Sequence, residues 1–411
     1  MAAKNSAIKR LEQTTFKLRA LLNITLAINE NLSQEDLLNH YVNLLQKDLD
    51  IGKLILFKLE DNWKCILNRG YSEEFICKID VEKDLLQFDE ISFDWGNSKE
   101  SNLGTYDIVV PVQHKGSPIA YVIIGDIDED TEGVSPIIKH LNFIQTLSNI
   151  IIVAIENIRL FNESLRQEAM RKELELASKM QSMLIPDQNI LPKNDKVFMA
   201  AFYHPHLEVG GDYYDYIELS KDEIGFCISD VSGKGISAAI LMSNFQANLR
   251  ALFTHEISLS ALIEKLNERV INSANGEKFI TLFVAKYNFK TRELEYINAG
   301  HNQPLLYRKD VNELTFLDKG CVGIGMLDEI PLVRKGSITI EGNAKLLCYT
   351  DGLVELMDGK GISFGTGEIE ACLMNPEPIQ KNIDEIIEMQ GILEGSAKIF
   401  DDISILGVEI F

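Results

Sequence analysis

Between Pro136 and Pro186 the chain contains neither a glycine nor a proline. A helix-rich run of that length with no breaker predicts a single long helix from about 136 to 184. Its first part, through Ile155 and Ile158, has the apolar content to pack on a sheet. Its continuation, from Leu160 to Leu184, is rich in Glu, Arg, Lys, Gln and Leu. There Met170, Leu174, Ala177, Gln181 and Leu184 recur at 4-3-4-3 spacing, an imperfect heptad seam. A lone solvated connector would not need that stripe, so the pattern favours a two-stranded coiled coil and a homodimer joined through this helix. The helix also divides the chain, and 411 residues suffice for a domain on each side of it.

Upstream, apolar residues at helical spacing cover 6–31 (Leu11, Phe16, Leu18, Leu21, Leu22, Ile24, Leu26, Ile28). Ser33 is placed to cap a second helix through Leu37, Leu38 and Leu44. Strand patterns follow at 53–59, 63–68, 108–113 and 119–125, the last two split by a turn at 114–117, and an acidic loop occupies 126–133. This order predicts a small α+β module over 1–160, followed by a helical linker over 161–189. Pro186, Pro192 and Asn194-Asp195 mark the next boundary. Beyond it, strand patterns appear at 197–203, 213–219, 224–231, 280–287, 294–298, 304–308, 344–349 and 403–410. Helical stretches lie among them at 236–254, 258–273, 367–374 and 380–391. The predicted architecture of 190–411 is an α-β-β-α sandwich, two antiparallel sheets flanked by helices, and the whole chain is α+β.

Charge narrows the function. Forty Lys+Arg against 62 Asp+Glu give a net charge of −22, which lacks the positive field that holds nucleic acid or an anionic membrane. Residues 1–31 mix charged with apolar side chains, unlike a secretory signal. Unbroken apolar runs such as 150–155 fall far short of the roughly 20 residues that span a bilayer. Cys65, Cys77, Cys227, Cys321, Cys348 and Cys372 form no CxxC pair. Reduced thiols in a cytoplasmic protein follow, with no disulfide framework and no zinc site.

Within the acidity, four segments share a syntax: Gly210-Gly211-Asp212, Ile228-Ser229-Asp230, Tyr349-Thr350-Asp351-Gly352 and Phe400-Asp401-Asp402. Each places an aspartate at a strand end or in a tight turn. A single such aspartate more often caps a turn or helix. Four gathered carboxylates repel one another unless a cation sits among them, and hard divalent ions favour oxygen ligands completed by water. Two ions sharing a carboxylate would support metal-assisted hydrolysis of a phosphoryl group.

The same segments carry a resemblance. Residues 209–215 (VGGDYYD), 228–239 (ISDVSGKGISAA), 279–283 (FITLF), 297–307 (INAGHNQPLLY), 349–355 (YTDGLVE) and 401–404 (DDIS) resemble, in order, the blocks of the PPM-type serine/threonine phosphatases. The likeness is to the bacterial branch typified by stage II sporulation protein E and the stress-response regulator phosphatases. Residues 173–186 resemble the helix that precedes this domain in many members. The resemblance implies that Asp230 bridges two Mn²⁺ or Mg²⁺ ions with the Val231 carbonyl nearby. It implies further that Asp351 and Asp401 hold one ion and that Asp212 serves the other. Asp230 and Asp212 would be the catalytic carboxylates, with metal-bound water attacking a phosphoserine or phosphothreonine and no covalent intermediate. No further cofactor is implied. The implied substrate is a phosphorylated regulatory protein such as an anti-sigma factor antagonist. Only one of Asp401 and Asp402 matches the ligand position, and no arginine lies in these blocks, so the group that grips the phosphate stays open. A non-catalytic sensor or scaffold that only binds a phosphoprotein is the alternative.

Residues 21–32, 108–113 and 155–160 resemble a GAF sensor domain. These are packing positions, so the fold carries over more safely than a ligand does. A small-molecule or protein effector and a purely structural, dimer-forming role both fit.

Other patterns fail on inspection. Ser232-Gly-Lys-Gly-Ile-Ser237 lacks the first glycine of a P-loop and reads as a glycine turn opening a helix. Gly210-Gly-Asp212 continues as Tyr213-Tyr214, unlike a cyclase signature. The 126–130 segment starts like a calcium loop but has Thr131 at the required glycine and Ile137 at the terminal glutamate. His204 and His206 have no partners at zinc spacing, and His301 reads as a turn-stabilising imidazole.

Overall fold

In the computed structural model, which describes residues 2–30, 32–93, 108–114, 116–125, 140–357, 364–393 and 398–411, helix α1 (Ala2–Asn29) ends just before the anticipated break. Ser33 caps α2 (Gln34–Asn43), its side chain accepting from the Asp36 N–H at 3.2 Å. Next come β1 (Lys53–Leu59), β2 (Trp63–Arg69), α3 (Glu73–Lys78), β3 (Ser92–Phe93), β4 (Ile108–His114) and β5 (Ser117–Gly125). They form an antiparallel sheet in the order β2-β1-β5-β4-β3. β1 and β5 are apolar on both faces because both faces are covered. Leu54, Leu56, Val122 and Ile124 pack with α1, α2 and α4 (Leu141–Ser182), while Ile55, Phe57, Tyr121 and Ile123 pack with Ile79, Val81 and Leu85.

Helix α4 contributes Ile144, Leu147, Ile151, Ile152 and Ile155 to that core. Buried Lys58 on β1 pairs with Glu156 of the same helix at 2.7 Å. By length and composition α4 contains a segment apolar enough to cross a membrane, which a search for unbroken apolar runs does not register. Half of that segment is buried inside the protein, where its apolar face packs on the sheet. The expected start of this helix near 136 and the acidic loop with the calcium-like pattern lie outside the described residues. The chain divides into two units, Met1–Glu168 and Ala169–Phe411, and the division falls inside α4.

Along the heptad stripe Met170 and Ala177 are exposed, and Leu174 and Leu184 are half-buried. Gln181 departs from the seam: it is buried within its own chain against the backbone of Gly210. Helical spacing cannot tell a face that meets a second copy from one that meets the following domain.

The second unit contains β6 (Val197–His204), β7 (Tyr213–Ser220), β8 (Glu223–Val231), α5 (Ile236–Leu252), α6 (Leu259–Ala274), β9 (Ile280–Asn288) and β10 (Glu293–Ala299). It continues with β11 (Leu305–Arg308), β12 (Glu313–Phe316), β13 (Gly320–Cys321), β14 (Gly336–Thr339), β15 (Ala344–Tyr349), α7 (Asp351–Val354), α8 (Gly367–Met374), α9 (Ile379–Met389) and β16 (Ile403–Ile410). One sheet has the order β13-β10-β9-β8-β7 with β14 added on β10, and the other β12-β11-β15-β16-β6. The pairs are antiparallel except for the short β10–β13 contact. β15 and β16 alternate between two cores. Leu346, Cys348, Leu406 and Val408 join a core with the first sheet, α5 and α6, whereas Leu347, Tyr349, Ile403 and Ile405 pack under α8 and α9. The elements absent from the sequence reading, α3, α7, β3, β12, β13 and β14, are too short to display a period. All six cysteines are free thiols.

Candidate metal centre

Strand pairing brings the aspartates to the strand ends. β7 and β8 are antiparallel neighbours, so Asp212, immediately before β7, and Asp230, near the end of β8, share an edge. β15 and β16 are also antiparallel neighbours, which puts Asp351 beside Asp401 and Asp402. Thr350 ties the two edges together. Its N–H donates to the Ser404 carbonyl at 3.0 Å, and its Oγ1 donates to Asp212 Oδ2 at 2.8 Å while accepting from the Ser404 N–H at 2.9 Å.

Asp402 organises the turn rather than facing the cluster. It is buried, with Oδ1 accepting from the His206 N–H at 2.8 Å and Oδ2 from the Gly211 N–H at 2.7 Å. Its own N–H donates to Asp401 Oδ1 at 2.8 Å. Two glycines permit this approach. A Cβ on Gly210 would stand 2.3 Å from Asp402 Oδ2, and one on Gly352 would stand 2.0 Å from the Asp402 carbonyl oxygen. Gly211 likewise lies against the Val231 carbonyl, which a Cβ would approach to 3.0 Å.

The carboxylates raise one another's proton affinity. Burial, then Asp230 and Asp402, holds Asp212 well above the usual carboxylate range. Burial, then the charges of Asp351 and Asp401, pushes Asp230 up to about 7, opposed by a hydrogen bond with Asp212. Asp351 is raised by burial and by Glu355 and Asp401. Crowded, partly desolvated carboxylates of this kind are what a divalent cation relieves. The donors are all oxygens, which suits a hard ion whose shell is completed by water. Among the described residues no three His, Cys, Asp or Glu side chains form a ready-made ligand cluster. Asp212, Asp230, Asp351, Asp401 and the Val231 carbonyl are the groups that could hold such ions.

Two lysines border the centre, and neither stood out in the sequence. The Ser232–Gly235 segment is the expected glycine turn: Gly233 and Gly235 have φ of 82° and 75°, and α5 starts at Ile236. Lys234 Nζ lies 2.8 Å from Asp401 Oδ2, and Lys278 Nζ donates to the Ser232 carbonyl at 2.7 Å. The block was readable as a turn, but which carboxylate the lysine meets depends on a strand more than 160 residues away.

His301 is not a cluster ligand. Its Nδ1 lies 2.8 Å from Thr281 Oγ1, and Thr281 is the cross-strand partner of Asp230. Burial drives its pKa down to about 4, so the imidazole is neutral at physiological pH. His206 contributes its backbone N–H to Asp402.

The C-terminal part of the chain is similar to known proteins. The family model described as Stage II sporulation protein E (SpoIIE) matches residues 220–411. Phosphoserine phosphatase RsbU of Bacillus subtilis (strain 168) is 25% identical over 229 residues, covering 54% of this chain and 67% of RsbU. Phosphoserine phosphatase RsbP of the same organism is 26% identical over 189 residues, covering 45% of this chain and 46% of RsbP. The chain thus spans about two thirds of one relative and under half of the other. Among solved structures, the SiaA-PP2C domain of Pseudomonas aeruginosa aligns with a TM-score of 0.51 at 19% identity, covering 60% of this chain and 99% of that domain. That likeness speaks for the fold.

Proposed function

We propose that the protein is a metal-dependent protein serine/threonine phosphatase, its C-terminal part carrying a phosphatase domain of the SpoIIE/PP2C type. The observation that supports this reading is the placement of Asp212, Asp230, Asp351 and Asp401 at neighbouring strand ends, with three of the four carboxyls raised by burial and by nearby carboxylates. Asp230 would bridge two Mn²⁺ or Mg²⁺ ions beside the Val231 carbonyl, with Asp351 and Asp401 on one ion and Asp212 on the other. Bound ions would supply an activated water and neutralise phosphoryl charge. The chain's own contribution is positioning: Thr350 fixes Asp212, and Asp402 fixes the Gly210–Asp212 turn.

The substrate of this reading is a phosphorylated regulatory protein, such as an anti-sigma factor antagonist; the relatives' names, phosphoserine phosphatases, support phosphoserine as the group removed. The protein works in the cytoplasm, without nucleic acid or membrane as partner. Residues 1–160 act as a GAF-like sensor for a small-molecule or protein effector. Residues 161–189 link it to the catalytic domain, 190–411, and join two copies in a homodimer. Supporting the dimer, Leu11, Leu18 and Leu22 on α1 and Phe161 and Leu165 on α4 are exposed.

The test is hydrolysis of a phosphoserine protein with and without Mn²⁺, comparing the wild type with Asp230→Asn. Loss of at least about a hundredfold in the variant supports the reading. Equal, negligible activity in both proteins would replace it with a non-catalytic phosphoprotein-binding scaffold. Light scattering of the full chain reads the dimer directly.

A further inference from the structure

A positive group, Lys234, stands at this acidic edge. Lys234 projects from a turn whose base is pinned: the Ser232 N–H donates to the Phe279 carbonyl at 2.9 Å, Ser232 Oγ accepts from the Phe279 N–H at 2.9 Å, and Lys278 holds the Ser232 carbonyl. From there the Lys234 ammonium reaches Asp401 Oδ2 at 2.8 Å and donates to the Phe400 carbonyl. Its charge also bears on Asp351, where it favours the ionised form. The lysine side chain is 42% exposed and the aspartate 29%, so the ammonium can leave Asp401 for solvent without dismantling the fold.

We infer that Lys234 is a tethered competitor for Asp401: its ammonium and a divalent ion contend for the same carboxylate, so the lysine weakens metal binding at that side of the centre. The inference rests on the reading of Asp401 as a metal ligand and gives Lys234 a role that reading does not contain. A divalent ion meets two costs here. The ion pair must be broken, and an ammonium that stays on its short tether still repels the incoming cation. Neither cost is large at a partly solvated site, because an exposed ion pair is worth about 1 kcal/mol or less. The lysine therefore adjusts metal affinity and does not abolish it. The consequence is a phosphatase centre whose occupancy responds to the free metal concentration.

The experiment is calorimetric titration of Mn²⁺ into the full-length protein and into Lys234→Gln, Lys234→Arg and Asp230→Asn, with thermal unfolding of each to establish that it is folded. Lys234→Gln is expected to bind Mn²⁺ about three- to tenfold more tightly, and Lys234→Arg to stay within about twofold of the wild type. Unchanged or weaker binding in Lys234→Gln, or equal tightening in Lys234→Arg, overturns the inference while weakened binding in Asp230→Asn leaves the metal centre standing. Wild-type affinity in Asp230→Asn overturns the metal centre and, with it, the role of Lys234.

Discussion

Gln181 and Gly210 are joined at both ends of one side-chain amide: Gln181 Nε2 donates to the Gly210 carbonyl, and the Gly210 N–H donates to Gln181 Oε1 at 3.1 Å. Gln181 is the penultimate residue of α4, and Gly210 is two residues before Asp212. The end of the long helix is therefore fastened to the turn that carries Asp212.

Replacing Gln181 with Ala leaves both polar groups of Gly210 unpaired in a buried place. Chemical denaturation should register a loss of about 1–3 kcal/mol. Because the neighbouring Gly211 N–H holds Asp402, loosening this turn should also lower Mn²⁺ affinity several-fold. A loss of stability with unchanged metal binding would reduce Gln181 to an anchor for the helix.

Metal binding should depend on pH in a defined direction. Asp230 is raised to about 7, and Asp212 and Asp351 are raised from 3.8, so between about 4 and 7 the folded protein holds more protons than the unfolded chain. For these groups alone, stability without metal falls as pH rises through that window. Divalent ions need the ionised carboxylates, so affinity rises with pH across that window. Mn²⁺ titrations across that range should change by up to about tenfold per pH unit on the acid side, with proton release. Asp230→Asn should flatten the curve.

The aspartates were legible in the sequence because each lies at or beside the end of an apolar strand; β15 and β16 match their expected bounds to the residue. Pairing then does the rest, since adjacent antiparallel strands must present their ends together. What alternation cannot show is which neighbour a polar side chain finds. Asp401 and Asp402 look alike in sequence, yet one pairs with Lys234 and accepts the Asp402 N–H, while the other holds the backbone N–H groups of His206 and Gly211. Gln181 occupies a heptad position and is claimed by a glycine 29 residues on. Thr350, unremarked among the blocks, joins the two sheets by accepting from one strand and donating to an aspartate of the other.

His301 offers a prediction of opposite sign to the carboxylates. Its folded pKa, near 4, lies below the usual 6.5, so its contribution to stability is complete above about 6.5 and is lost as pH falls towards 4. The difference in unfolding free energy between wild type and His301→Gln should therefore shrink on acidification through that window. At neutral pH the variant should lose about 1–3 kcal/mol, from the bond to Thr281 and imperfect packing. A His301 ring signal that titrates near 6.5 in the folded protein would contradict the neutral, buried brace.

Asp401 and Asp402 should separate cleanly on substitution. Asp401→Asn removes a partly exposed carboxylate whose partners are a lysine that can turn to water and the Asp402 N–H, which the amide oxygen can still accept, so unfolding free energy should change by less than about 1 kcal/mol. Its Mn²⁺ affinity and turnover should nonetheless collapse if Asp401 is the ligand proposed above. Asp402→Asn keeps the shape but turns an amide NH₂ towards one of two backbone N–H donors, at His206 or Gly211. That conflict, in a buried residue, should cost about 2–3 kcal/mol. Metal binding should fall with it, since the Gly210–Asp212 turn would lose its anchor. Denaturation and Mn²⁺ titration on both variants decide the assignment. A stable Asp402→Asn that fails to bind metal, beside an Asp401→Asn that binds it normally, would exchange the roles of the two residues.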